Sequence, residues 1–147
     1  MKLQGIIIKG HGVASGRNLI DQMGTIERQK SYFLARGLDL SHCFNGTINV
    51  DIKPLTVARI NADLYFEAVD WNKNIGPENF SLVHCVIWFN GASYAGYIYY
   101  PDPQTKPGHF HSSSTLELIA PKIKHITNGL PIEIEVNGQS IAVNNGT

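Results

Sequence analysis

Thr47 and Asn49 stand two residues apart in Gly46-Thr47-Ile48-Asn49-Val50. In an extended strand both side chains leave the same face, so their oxygens can share one small object. A hard cation is one such object, because magnesium accepts neutral oxygen ligands when phosphate oxygens and water complete its octahedron. The other reading is a pair of polar residues on the exterior of a strand. Glu117, between Leu116 and Leu118, faces away from both if the stretch is extended. Turned into an interior, its carboxylate can take a proton from a substrate hydroxyl or orient it by a hydrogen bond; turned outward, it is a solvated glutamate. Gly5, Gly10, Gly12 and Gly16 either let backbone amides approach a phosphate closely or mark a structural turn. Their spacing lacks the Gly-Lys-Ser/Thr ending of a P-loop and opens no dinucleotide-binding βαβ unit. Lys122, Lys124 and His125 follow Pro121 as a small basic group suited to phosphates or a nucleobase edge. His109 and His111 alternate in a stretch with prolines and serines. With His84, His125 or a cysteine they raise the question of zinc, but the spacing matches no common site, and substrate contact or surface exposure is preferred. No Gly-x-Ser-x-Gly elbow, His-Glu-x-x-His helix or protein-kinase catalytic loop is present, so conventional hydrolases and protein kinases lose support.

The elements that must position these groups read mainly as strands. Residues 3–9, centred on Ile6, Ile7 and Ile8, form a short apolar run that ends in Gly10-His11-Gly12, the pattern of a buried strand running into a glycine loop. Met23, Ile26, Phe33 and Leu34 recur at roughly helical spacing with Glu27, Arg28 and Lys30 between them, which predicts one substantial helix over residues 23–36. Gly37 is placed to stop it. Over residues 47–52 Ile48, Val50 and Ile52 alternate with Thr47, Asn49 and Asp51, and Pro54 follows, as in a half-buried strand. Residues 62–71 and 80–89 are rich in aromatic and β-branched types. Asn90-Gly91 predicts a hairpin into residues 94–100, and Asn137-Gly138 predicts a second between residues 132–136 and 140–143. Residues 101–114, with three prolines, a glycine and several serines, predict a long loop. Many short strands with tight turns imply a barrel or sandwich.

Bulk properties bound the partners. A chain of 147 residues with 43% hydrophobic residues fits one domain, residues 1–147, with a core large enough to need no disulfide or metal staple. Twelve basic residues balance twelve acidic ones, so there is little long-range attraction for nucleic acid or anionic lipid, and a phosphate ligand must be held locally. Cys43 and Cys85 are too few and too far apart for a disulfide framework and read as free thiols. No secretory leader or apolar run of about 20 residues stands out, so a cytoplasmic protein without membrane partners is expected.

Taken in order, Gly5-Ile6-Ile7-Ile8-Lys9-Gly10-His11-Gly12-Val13-Ala14, then Gly46-Thr47-Ile48-Asn49-Val50, then Leu116-Glu117-Leu118-Ile119-Ala120-Pro121, resemble the archaeal CTP-dependent riboflavin kinases. That family carries a glycine-rich segment near its start, a Gly-Thr-Leu-Asn-Val segment in the middle and a Glu-x-Ile-Ala-Pro segment near its end. The likeness spans most of the chain. It implies a single cradle-loop β-barrel of six-stranded type with one or two short helices, which transfers the terminal phosphate of CTP to the ribityl hydroxyl of riboflavin and gives FMN and CDP. Carried across by position, the resemblance implies that Gly10, His11, Gly12, Val13, Ala14 and Ser15, with Lys122, Ile123, Lys124 and His125, hold the nucleotide. Thr47 and Asn49 would hold magnesium, and Glu117 would serve as the catalytic carboxylate facing the ribityl chain. His109 falls near a flavin-contacting threonine of the family. Asn45 replaces a proline that often precedes the Gly-Thr step, Ala14 replaces a glycine, and residues 17–30 read as an insertion. An apolar wall for flavin has candidates in Tyr94, Tyr97, Tyr99, Trp88 and Phe110, although strand aromatics are more often core. The alternatives are a kinase for another small alcohol and a non-catalytic nucleotide- or flavin-binding barrel. The wider barrel family also includes DNA-binding members, against which the neutral net charge argues.

Overall fold

β-Branched and aromatic residues carry most of the chain into strands, and the alternation of apolar positions decides which faces are buried. The computed structural model describes residues 1–9, 25–103 and 113–145. Among them it forms nine strands and one helix: β1 (Lys2–Lys9), α1 (Thr25–Leu34), β2 (Ile48–Asp51), β3 (Leu55–Ile60), β4 (Leu64–Val69), β5 (Glu78–Phe89), β6 (Ala92–Pro101), β7 (Thr115–Ile119), β8 (Pro131–Val136) and β9 (Ile141–Asn145). The expectation of a mainly β chain with a helix near residue 30 therefore holds, and Cys43 and Cys85 are free thiols, both buried. No helix among the described residues is long and apolar enough to cross a membrane.

Seven strands make one sheet in the order β4-β5-β6-β7-β2-β1-β8. A further pairing, of Cys85–Trp88 with Val136–Glu133, joins β5 to β8. The strands β5, β6, β7, β2, β1 and β8 thus form a ring of six antiparallel neighbours, and β4 is added outside it on β5. Inside the ring, Ile7, Ile48, Val50, Val83, Ile87, Ile98, Leu116, Leu118, Ile132 and Ile134 pack as one apolar cluster. The separate β3–β9 ribbon lays Leu55, Val57, Ile60 and Val143 against this cluster.

A second cluster lies on the outer face of the ring. There Ile26 and Phe33 of α1 pack on Phe66, Phe80, Leu82, Tyr99 and Ile119, with Phe33 stacked on Phe66 and edge-on to Phe80, both at 5.3 Å between centroids. The helix ends where expected. Gly37 has φ +96°, its N–H donates to Leu34 O, and Leu38 N–H donates to Phe33 O, each at 3.0 Å. This is the reciprocal pair of bonds that closes a helix through a glycine, and Leu38 joins Phe33 in the same apolar cluster.

The first predicted hairpin is present: Asn90 (φ 51°) and Gly91 (φ 80°) supply the two positive-φ residues of its turn, with Phe89 opposite Ala92. The second is corrected. β8 has its two edges occupied by β1 and β5, so β9 finds no edge on it and pairs with β3 instead. Gly138 does not take the positive φ that a two-residue hairpin requires. Asn137 O and Asn137 Oδ1 instead accept from Ser140 N–H and Gln139 N–H, both at 2.9 Å, and this turn sends the chain away from β8. Pro101, expected in the long loop, is the last residue of β6, opposite Phe80; most of that loop lies outside the described residues.

Candidate functional site

Alternation along β2 places Ile48 and Val50 in the interior cluster, which sends Asn49 to the outer face. The same rule on β7 turns Leu116 and Leu118 inward and Glu117 outward, and on β6 it turns Ile98 inward and Tyr99 outward. Register then brings the outward residues into one row, because Asn49 is opposite Glu117 and Glu117 is opposite Tyr99. Thr47 enters the row from the residue just before β2.

The row is buried and hydrogen bonded. Thr47 is 0% exposed, and Asn49 and Glu117 are 8% exposed each, so neither the solvated-glutamate reading nor the exterior-polar reading describes them. The Thr47 hydroxyl lies 3.0 Å from Asn49 Oδ1 and 3.3 Å from Glu117 Oε1, the latter contact spanning 70 residues of sequence. One hydroxyl proton serves two acceptors there. Next along the row, Tyr99 donates its hydroxyl proton to Gln29 Oε1 at 2.8 Å. Burial holds the Tyr99 phenol well above its usual range, and the negative charge of Glu117 adds to this. Helix α1 is thereby tied to the strand beside the carboxylate.

The neighbouring loops are fixed to the same region. Lys9, the residue before Gly10, is the register partner of Asn49. Lys30 Nζ donates to Cys43 O at 2.5 Å, and Phe44 N–H donates to Ala120 O at 2.9 Å, pinning residues 43–44 between α1 and the end of β7. From there the chain turns through Lys122, Lys124 and His125, all exposed. Ile123 between them is 2% exposed and belongs to the interior cluster, so in a nucleotide site only its backbone would be offered. After this turn Gly129 N–H donates to Ile7 O at 2.7 Å, and Leu130 O accepts from Ile7 N–H at 2.9 Å, returning the chain to the last turns of β1's ladder.

The structure therefore brings Thr47, Asn49 and Glu117 together, with the Lys122–His125 turn following directly on β7. Gly10, His11, Gly12, Val13, Ala14, Ser15 and His109 lie outside the described residues, as does Phe110. Gly5 is no part of a phosphate-approaching loop: it sits within β1, where an added Cβ would stand 2.3 Å from Val50 Cγ1. Of the aromatic residues singled out, Tyr99 belongs to the cluster under α1, and Trp88 is 40% exposed and donates to Glu135 Oε1 at 3.0 Å. An open groove of about 450 Å3 lined by Met1, His84, Cys85 and Glu135 among others shares no residue with the polar row.

Sequence reasoning missed Gln29. The signal was present, since Gln29 falls at i+3 from Ile26 and i+4 before Phe33, a polar residue in the buried stripe of a helix. It is 1% exposed. Glu78, also missed, is a second buried carboxylate that accepts from Trp71 Nε1 at 3.0 Å.

Among the described residues no group of three or more His, Cys, Asp or Glu is placed to hold a metal. The oxygen set of Thr47, Asn49 and Glu117 is of another kind. Two neutral oxygens and one carboxylate are donors of the type that could hold a hard cation bringing phosphate and water ligands of its own. Compared with protein-family models and with curated proteins, the chain matches none.

Proposed function

We propose that the chain is a CTP-dependent phosphotransferase of riboflavin-kinase type, built on a six-stranded cradle-loop barrel and converting riboflavin and CTP to FMN and CDP. The observation that carries this reading is the contact of Thr47 with both Asn49 and Glu117. Three residues singled out in two motifs 70 positions apart meet in one buried cluster. The six-membered ring of strands supports the barrel.

Phosphoryl transfer asks little of a protein beyond alignment and charge neutralisation. In this reading Glu117 accepts a hydrogen bond from the ribityl hydroxyl and receives its proton as the oxygen bonds to the terminal phosphorus of CTP. The bond from that phosphorus to its bridging oxygen breaks, and CDP leaves with the electron pair. Thr47 and Asn49 hold magnesium, which when bound neutralises charge on the phosphates. The amides of Gly10, Gly12 and their neighbours, with Lys122 and Lys124, hold the nucleotide, and His109 lies toward the acceptor. Burial of Glu117 keeps water from competing for its lone pairs.

The test is incubation of the pure protein with riboflavin, magnesium and each nucleoside triphosphate in turn, with flavin products separated by chromatography. FMN and CDP are expected with CTP, and Glu117→Gln should lower turnover by roughly 10²–10⁴-fold. No FMN from any donor overturns the reading. CTP binding without riboflavin binding, seen by calorimetry, would shift the acceptor to another small alcohol. Tight binding of nucleotide or flavin without turnover would mark a binding module.

A further inference from the structure

Thr47 carries one hydroxyl proton for two acceptors, Asn49 Oδ1 and Glu117 Oε1. Asn45 Oδ1 is shielded from water and has no hydrogen-bond partner among the described residues. A buried carbonyl oxygen left without a donor is costly and rare, and an ion or ordered water is the usual explanation. Asn45 lies two residues from Thr47 in the sequence, at most about 7 Å along the chain. It is held there on its N-terminal side by the bonds from Lys30 to Cys43 O and from Phe44 N–H to Ala120 O. A cation satisfies several oxygens at once.

We propose that Asn45 supplies a third neutral oxygen, beside Thr47 and Asn49, to a hard divalent cation. This rests on the reading of Thr47 and Asn49 as cation ligands, and it assigns a role to a residue that the resemblance alone leaves without one. An amide oxygen at this position suits magnesium or manganese, whose preference is for oxygen donors.

The test is binding of Mn²⁺ to the full chain, read from the loss of the free-ion paramagnetic resonance signal, with and without CDP. The wild type is expected to bind one ion. Asn45→Ala should weaken binding at least about tenfold, and Asn45→Asp, which keeps the oxygen and adds charge, should hold or tighten it. Thr47→Val and Asn49→Ala serve as references and should also lose affinity. Wild-type affinity in Asn45→Ala, with loss in Thr47→Val, overturns the role of Asn45 and leaves the proposed function standing. Equal weakening in Asn45→Ala and Asn45→Asp assigns Asn45 a packing role and overturns it too. Absence of Mn²⁺ binding by the wild type in both conditions overturns the cation site as a whole.

Discussion

Cys85 packs with Ile87, Val83 and Ile98 in the interior of the ring, and burial pushes its thiol up to about 12 from an ordinary value of 9.0. The neutral thiol is the form the fold favours. Its stabilising contribution is complete below about pH 9 and is lost as the pH rises toward 12, because over that interval the unfolded chain binds fewer protons than the native one. Tyr99, held above its ordinary value of 10.0 chiefly by burial, acts in the same sense from about pH 10 upward. The urea midpoint should therefore fall as pH rises above 9, and Cys85→Ala should fall less steeply over the same range. A midpoint equally steep in both proteins would show that the thiol is not the source. Residue identity made some of this legible: two widely separated cysteines read as free thiols without structural help. That Glu117 sits against Thr47, and not in water, could not be read locally. An alternating strand says which residues share a face, and it is silent on what covers that face.

Two glycines fix the elements around the polar row for different reasons. Gly37 closes α1 in a backbone conformation, φ +96°, that a side chain resists, yet nothing lies within 4 Å of where its Cβ would be. Gly96 has no unusual φ, but a Cβ there would stand 2.7 Å from Ile119 O and 3.0 Å from Ile87 Cδ1, so β6 and β7 approach only because the side chain is missing. Gly37→Ala should cost about 1 kcal/mol, the penalty of conformation alone. Gly96→Ala should cost more, roughly 1–3 kcal/mol, since backbone must move to admit it. Urea denaturation of both variants checks the order. The stop at Gly37 was visible in the sequence because a glycine after an amphipathic run is a local signal. The role of Gly96 was not, because the atom it must avoid belongs to a strand more than twenty residues away.

At the scale of the whole molecule, β5 carries the most pairing: β4, β6 and β8 all bond to it, and its contact with β8 closes the ring. The β3–β9 ribbon is attached through one sheet of two strands with much of β3 partly or fully exposed. Native-state hydrogen exchange should find the amides of Ile87 and Ile134 opening only with global unfolding, and those of β3 and β9 opening at lower free energy. Equal protection in both would mean that the ribbon folds as one unit with the ring. The sequence by itself determined which residues face the interior along β2, where α1 stops, and where the Asn90-Gly91 turn falls, because each depends on neighbours a few positions apart; β1, expected as a fully buried strand, instead alternates, with Ile7 buried and Ile6 and Ile8 44% and 43% exposed. Only the tertiary structure decided that β9 leaves β8 for β3, that Glu117 lies opposite Asn49 and Tyr99, and that Gln29 reaches over to the Tyr99 hydroxyl. Those choices depend on which strand edges remain open once the others have paired, and that competition is settled across the whole chain and not within any one segment.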